Sequence, residues 1–467
     1  MKAAVGAVVL AMSVSCASTG GGTVKPTPPS APPPVQPAPP PPPPVTQATQ
    51  PAIPDTPAGK TLSAWLEVFN SADEGRVKTF VADYTPGPGV VDPGFRTQTG
   101  GFDLVSIEKS DRLAVTFVVK EKASTTHAVG WLRVKDTEPA AIESFQLLAI
   151  PPGMTVADMD LKVDDAMRTR VIDGIAAQLT DLYVYPDVAK KMVQALREHQ
   201  KHGDYDAIGE ARTFADLLTD HLQAVSHDRH LRVSFSPMVV PEGDHEPSAE
   251  DKARMKAQLE KMNCGFEKAE RLDGNIGYVK LDFFGDPDVC GPMATAALAS
   301  LGDVDALIFD LRENHGGQPE MVSFVLSYLF DKRTHVNDLY YRKDNKTTKY
   351  WTNPGVPGTK FGKQPVYVLT SHQTFSGGEE FCYDLKTLKR AKLVGETTGG
   401  GAHPTSGQRV DDHFTIGVPS GRPINPITKT DWEGKGVEPD VNVPADQALD
   451  TAKKLAADQI ARHPHRP

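Results

Sequence analysis

A serine followed by two glycines sits in the segment PVYVLTSHQTFSGGEEFCYDLKTLKR. The apolar run Val366–Leu369 reads as a buried strand, and the residues after Ser376 read as a helix. Ser376 would then stand at the helix N-terminus, and Gly377 and Gly378 would let another backbone or a substrate approach closely. The Gly377 amide would be one of the unpaired first donors of that helix. At the positive end of the helix dipole it favours a developing oxyanion. An acyl-transfer nucleophile needs this setting. A plainer reading competes, because Ser376 and Glu379 have the spacing of a capping box.

A serine hydroxyl needs a base. SHDRHLRV offers His227 and His230 at a helix–strand junction, where a histidine taken alone is more often structural. Asp228 or Ser226 could orient an imidazole through its second nitrogen. Lys386 and Lys392 follow the serine but read as surface residues. WEGKGVEPD contributes Glu433, which could equally be a loop carboxylate paired with Lys435. DLRENHGG follows the strand-like run Ala306–Phe309, and its Gly316 and Gly317 precede a helix opened by Pro319. No G-x-x-x-x-G-K-[ST] phosphate cradle occurs. His315, His403 and His413 lack a metal-ligand spacing such as H-E-x-x-H, so neither a metal nor a cofactor is expected. A G-x-S-x-G elbow is also missing, which ranks an ester or amide hydrolase of the α/β-hydrolase type low.

The elements that must position these groups fall into several units, as 467 residues suggest. Residues 17–60 are rich in Pro, Thr, Gly, Ala and Gln and read as an extended tether. Residues 61–150 combine a helical stretch, broken near Asn70–Gly75, with four strand-like runs, and suggest a cystatin-like α+β roll. Trp65 and Trp131 read as core of that roll. Residues 163–240 read as a helical domain whose third helix leads into a strand after His230. Residues 245–263 are polar and read as helical. Residues 262–448 alternate strand-like runs (IGYVKLDF, ALIFDL, VYVLTS, KLVGE, FTIGVP) with helices at 292–301, 319–330 and 377–388. The chain is thus multidomain, α/β and α+β. Its net charge of -10 and lack of a basic stripe argue against a nucleic-acid partner.

TFSGGEEF, with PVYVLTS before it and RAKLVGETTGGGAHP after it, resembles the signature of the tail-specific, or C-terminal processing, serine peptidases. DALIFDLRENHGGQPE, GNIGYVKLDFF and DWEGKGVEPDV match in the same order. The resemblance runs from about residue 164 to 448 and is closest to the branch holding the repeats of interphotoreceptor retinoid-binding protein, with tricorn protease more distant. It implies a ClpP- or crotonase-like ββα core and a serine-type endopeptidase or carboxyl-terminal processing peptidase acting on peptides or proteins. Many members use a lysine within a Gly-Lys-Gly after the GET segment. Here that stretch reads Thr398, Gly399, Gly400, Gly401, so the resemblance shifts to the tricorn-like set. That set implies Ser376 as nucleophile, His230 as base and Glu433 as the acid that polarises or positions the histidine. It also implies an oxyanion hole of the Gly377 and Gly317 amides. The segment between His230 and Ile276 is too short for the PDZ domain many members carry. The retinoid-binding relatives supply the alternative, a non-catalytic binding module for apolar ligands or peptides on the same fold.

The N-terminus, MKAAVGAVVLAMSVSCAS, has Lys2, a short apolar run and Cys16 after small residues. Residues 1–16 read as a signal peptide, and Cys16 resembles a bacterial lipoprotein cysteine, although Ser13 departs from that pattern. An exported protein of the periplasm or cell envelope is expected, held at the outer membrane only through that lipid. With Cys16 set aside, Cys264 and Cys290 could bridge, and Cys382 reads as core.

Overall fold

The computed structural model describes residues 51–71, 73–85, 89–243 and 248–462. Residues 1–16, with Cys16, and the Pro-rich stretch to residue 50 lie outside them. The chain divides near Met159 into two units.

The first unit holds helices α1 (Pro57–Ser71), α2 (Glu74–Tyr84) and α3 (Pro93–Thr99). A four-stranded antiparallel meander follows: β1 (Phe102–Ser110), β2 (Ala114–Glu121), β3 (His127–Val134) and β4 (Ile142–Ala149). Helix α1 begins inside the stretch read as tether. Thr56 Oγ1 accepts the Gly59 amide at 3.1 Å, and Pro57 opens the helix. Trp65 is fully buried among Phe69, Phe102, Phe117 and Phe145, with its indole N–H on the Val90 carbonyl at 2.8 Å. Trp131 is not part of that core. It alternates with buried Gly130 and Leu132 on β3 and is only half-buried, as the period of two along a strand dictates.

The second unit opens with helices α4 (Asp165–Leu182), α5 (Pro186–His202) and α6 (Ala211–Ser226) and strand β5 (Arg232–Phe235). The polar helix α7 (Ala249–Lys261) follows. Then come β6 (Phe266–Leu272), β7 (Ile276–Leu281), α8 (Pro287–Leu301), β8 (Ala306–Asp310), α9 (Pro319–Leu326), β9 (His335–Tyr341), β10 (Lys346–Trp351), β11 (Val366–Thr370) and α10 (Gly377–Thr387). The chain ends with β12 (Lys392–Gly395), β13 (Thr405–Asp411), β14 (Phe414–Pro419), β15 (Gly421–Ile424), β16 (Val441–Asn442) and α11 (Ala448–Arg462). Helix α8 starts at Pro287 under an Asp286 cap, not at Pro292, which lies inside it.

A six-stranded sheet in the order β16-β12-β11-β8-β7-β6 forms the centre, parallel except for the β6–β7 pair. Both faces are covered at its centre, which is why β8 and β11 are continuous buried runs, apolar but for the closing residue. Leu307, Phe309 and Val368 pack on the face shared with α8, α9 and α10. Ile308 and Leu369 face α11. The FTIGVP run does not join this sheet. As β14 it pairs antiparallel with β13 and with β5, and Phe414, Ile416 and Val418 complete the core of the helical region. That region therefore needs a hairpin from far downstream. Cys264 and Cys290 form a disulfide that ties the entry of β6 to α8, and Cys382 is a buried free thiol.

Candidate active site

Parallel strands β8 and β11 are neighbours, and the loops leaving their carboxyl ends carry the glycine pair and the serine. Such ends of an open α/β sheet are where a crevice forms. Asn314, fully buried, fastens the two loops. Its Oδ1 accepts the Gly316 amide at 2.9 Å, its Nδ2 donates to the Leu281 carbonyl at 2.8 Å, and its own carbonyl accepts the Phe375 amide at 2.9 Å.

Ser376 is half-buried and adopts φ 51° with ψ −118°, a conformation a side-chain-bearing residue rarely takes. Gly316 crosses directly against it: a Cβ there would lie 2.6 Å from the Ser376 Cβ. A Cβ on Gly377 would lie 3.0 Å from the Gly317 nitrogen, so these two amides are close neighbours. Neither amide donates to an acceptor among the described residues. Ser376 and Glu379 form the expected capping box, whose 2.9 Å bond runs from the serine's backbone amide to Glu379 Oε2.

The Glu379 carboxylate is fully buried and accepts three further bonds, from Thr398 Oγ1 at 2.5 Å, the Gly400 amide at 2.7 Å and the Gly401 amide at 2.8 Å. Burial raises its pKa above the ordinary carboxylate value, with these donors opposing. The TGGG segment is therefore a ligand of this carboxylate rather than the carrier of a lysine. Lys386 donates instead to the Glu438 carbonyl at 2.5 Å, and Lys392 is exposed.

The turn after α6 separates the two histidines. His227 takes φ 57° and closes the helix, its amide on the Gln223 carbonyl at 2.8 Å, and its side chain is exposed. His230 turns inward because Asp228 Oδ1 accepts its amide at 3.0 Å. Its ring packs on Phe375, the residue before the serine, with centroids 4.8 Å apart. A Cβ on Gly401 would meet its Cε1 at 2.6 Å. His230 and Ser376 are brought to adjoining positions around Phe375 but are not hydrogen-bonded to each other. Burial pushes the His230 pKa down to about 4 against the raising effect of Asp228.

Ser226 Oγ accepts the Asp228 amide at 3.2 Å, so Asp228, not Ser226, faces the imidazole. Asp228 is 2% exposed. Its Oδ1 lies 3.8 Å from His230 Nδ1, and its Oδ2 lies 2.6 Å from His403 Nδ1. Tyr183 donates its hydroxyl to the same Oδ2 at 3.3 Å. Burial would raise the Asp228 pKa, yet the His403 bond and the two histidines hold it below the ordinary value. Glu433 Oε2 accepts the Ala402 amide at 2.6 Å and lies 3.6 Å from His403 Nδ1. Burial pushes Glu433 up to about 7. Glu433 thus lies beside His403, and it also has a carboxylate oxygen within 4.8 Å of a His230 ring nitrogen. His403 was weighed in the sequence only as a metal ligand. The signal that could have found it is Asp228, a carboxylate that needs a cationic partner once buried.

Asp228, His230 and Glu433 each place a donor atom within 4.8 Å of the others, a spacing that could take a cation, and so do Glu267, Asp282 and Glu313. In the second set the Lys280 ammonium already bridges Glu267 and Glu313.

Residues 275–443 match the profile of peptidase family S41, and residues 161–264 match the N-terminal domain of family S41 peptidases in eukaryotic IRBP. The domain at residues 275–443 belongs to peptidase family S41. It is 28% identical over 178 residues to the chloroplastic carboxyl-terminal-processing peptidase 2 of Arabidopsis thaliana, a match covering 36% of this chain and 32% of that protein. This chain therefore spans about a third of that relative's length. Among solved structures, a lipoprotein from Streptococcus agalactiae is similar with TM-score 0.43 and 14% identity, over 63% of this chain and 97% of that one. The photosystem II D1 C-terminal processing protease is similar with TM-score 0.39 and 16% identity, over 63% of this chain and 97% of that one.

Proposed function

We propose that this chain is a serine-type peptidase in which Ser376 attacks a peptide carbonyl and His230 accepts its proton. The observation that carries this reading is the strained Ser376 at the N-terminus of α10, beside two neighbouring amides, Gly317 and Gly377, that have no acceptor of their own. Such donors stabilise a developing oxyanion. The serine oxygen adds to the carbonyl carbon, His230 hands the proton to the leaving amine, and water then releases the acyl group with His230 as base again. Burial keeps His230 neutral at ordinary pH, as a base must be.

Endopeptidase cleavage and processing near a carboxyl terminus are both within this chemistry, with peptides or proteins as substrates. The experiment is fluorophosphonate labelling with mass-spectrometric site assignment, alongside peptide-library hydrolysis. Label on Ser376, and loss of label and hydrolysis in Ser376→Ala with folding intact, is the expected result. Full hydrolysis by Ser376→Ala would end the assignment, and absence of label with apolar ligand binding would favour a binding module.

From Lys2, the short apolar run and Cys16 after small residues, we further propose that the protein lies outside the cytoplasm, as a lipoprotein anchored through Cys16. The Cys264–Cys290 disulfide supports an oxidising compartment. Intact mass of the mature N-terminus tests it: a diacylated Cys16 is expected, and an unlipidated terminus would refute it.

A further inference from the structure

We propose that His403 and Asp228 act as a positioning pair for the His230 base, with the Glu433 carboxylate beside them. This rests on the peptidase reading and adds to it the group that sets the ionisation of the base.

The geometry runs outward from His230. Its Nδ1 is buried without a hydrogen-bond partner, and the carboxylate oxygen facing it is Asp228 Oδ1 at 3.8 Å. Catalytic hydrogen bonds are often long in an empty site and tighten when substrate binds. A small rotation of the imidazole closes this gap, because Oδ1 is already fixed by the His230 amide. The far side of Asp228 is held harder, by His403 at 2.6 Å, with both side chains 2% exposed. A carboxylate buried to that degree without a cation would be costly.

His403 is the group that can carry that charge, its Nδ1 lying 2.6 Å from Asp228 Oδ2. Burial works against its protonation, but the Asp228 bond and the charges of Glu433, Asp228 and Asp431 outweigh it and raise its pKa. The groups that face the pair come from three places. Tyr183 and Tyr185 follow α4, with the Tyr185 ring edge-on to His403 at 5.5 Å. Asp228, Arg229 and His230 follow α6. Asp431 and Glu433 come from the loop before β16. At His230 itself, Asp228 raises the pKa while His403 and Arg229 lower it. The two members of the pair therefore pull the base in opposite directions.

The opposition gives a test that a merely structural role would not pass. The pH dependence of Ser376 labelling and of kcat/KM is measured on the full chain for wild type, Asp228→Asn and His403→Gln, with NMR titration of the His230 ring in each. Asp228→Asn should move the acid limb, and the His230 titration, to lower pH by about one unit, and lower kcat about a hundredfold or more with little change in KM. His403→Gln should move both to higher pH. If one variant fails to fold, the other still carries a signed expectation. A His230 titration unmoved, or moved the same way by both variants, overturns the proposal. A wild type in which Ser376 neither labels nor hydrolyses overturns the peptidase reading and the pair's role with it, an outcome distinct from unmoved titrations in an active enzyme.

Discussion

Replacing Glu379 by glutamine changes one atom of a buried carboxylate, yet it should loosen the whole nucleophile turn. Oε1 receives the Thr398 hydroxyl and the Gly400 amide, and Oε2 receives the Ser376 and Gly401 amides. Glutamine offers one oxygen and one NH2, so one of these pairs must face a donor. The better orientation turns the NH2 toward Thr398, whose hydroxyl can reverse, and leaves the Gly400 amide opposed to another N–H. Lost charge assistance and one buried unsatisfied donor together cost about 2–4 kcal/mol. The readout is hydrogen exchange at Gly400 and Gly401, where that energy corresponds to about 30- to 900-fold less protection. Fluorophosphonate labelling of Ser376 should slow at the same time, because the serine amide shares the carboxylate. Unchanged protection at both glycines, with wild-type labelling, would refute the view that this carboxylate holds the site together.

Three other outcomes follow from the geometry. Ser376 labelling in wild type should hold its rate as pH falls from 7 to 5 and drop only near about 4, where His230 protonates; half-loss near 6.5 would contradict a buried neutral base. The sign for stability agrees: the unfolded chain protonates His230 near about 6.5 and the folded chain near about 4, so stability is full above that window and lost as pH falls through it. Removing the disulfide by Cys264→Ser with Cys290→Ser should destabilise the second unit by about 3.5 kcal/mol for a separation of 26 residues, read by denaturant dependence of exchange in β7 and β8; a change under about 1 kcal/mol would contradict it. Gly401→Ala should cut labelling about a hundredfold with secondary structure unchanged, because its Cβ would meet His230 Cε1 at 2.6 Å; wild-type labelling would show that the ring position does not matter.

Local patterns in the sequence carried the elements well. The strand before Ser376, the helix after it and the glycine turn after β8 are each set by neighbouring residues, and each stands where the pattern puts it. Boundaries set by competing prolines were harder to read. Pro292 looks like a helix start, but Asp286 and Pro287 supply cap and first position five residues earlier. Thr56 and Pro57 do the same for α1 at the end of a stretch whose composition reads as tether. Trp131 shows the limit of composition: its type suggests core, but its register on β3 turns it from the buried face. Partners distant in sequence were legible only where the resemblance grouped them, as for Ser376, His230, Gly317 and Glu433, or where cysteines stood to be paired. Nothing local tells that β14 pairs with β5, that Asn314 fastens the serine loop, or that His403 meets Asp228 175 residues away.

These long-range pairings converge on one short segment. Ser376 opens α10, whose Phe381, Cys382 and Leu385 lie in one core, whereas His230 precedes Leu231 and Val233 of a second core, to which β14 contributes Phe414, Ile416 and Val418. Two cores that moved independently could not hold a nucleophile and its base in register. Residues 398–403 join them. Thr398, Gly400 and Gly401 bind Glu379 on the nucleophile side, while Ala402 binds Glu433 and His403 binds Asp228 on the base side. Trp432 locks the middle, its indole N–H on the Gly401 carbonyl at 2.8 Å. The glycines follow from the same crowding, since a side chain on Gly401 would run into Phe375 and His230. A lysine in this segment would have to displace that packing, so a loop built this way favours the proposed histidine base over a lysine.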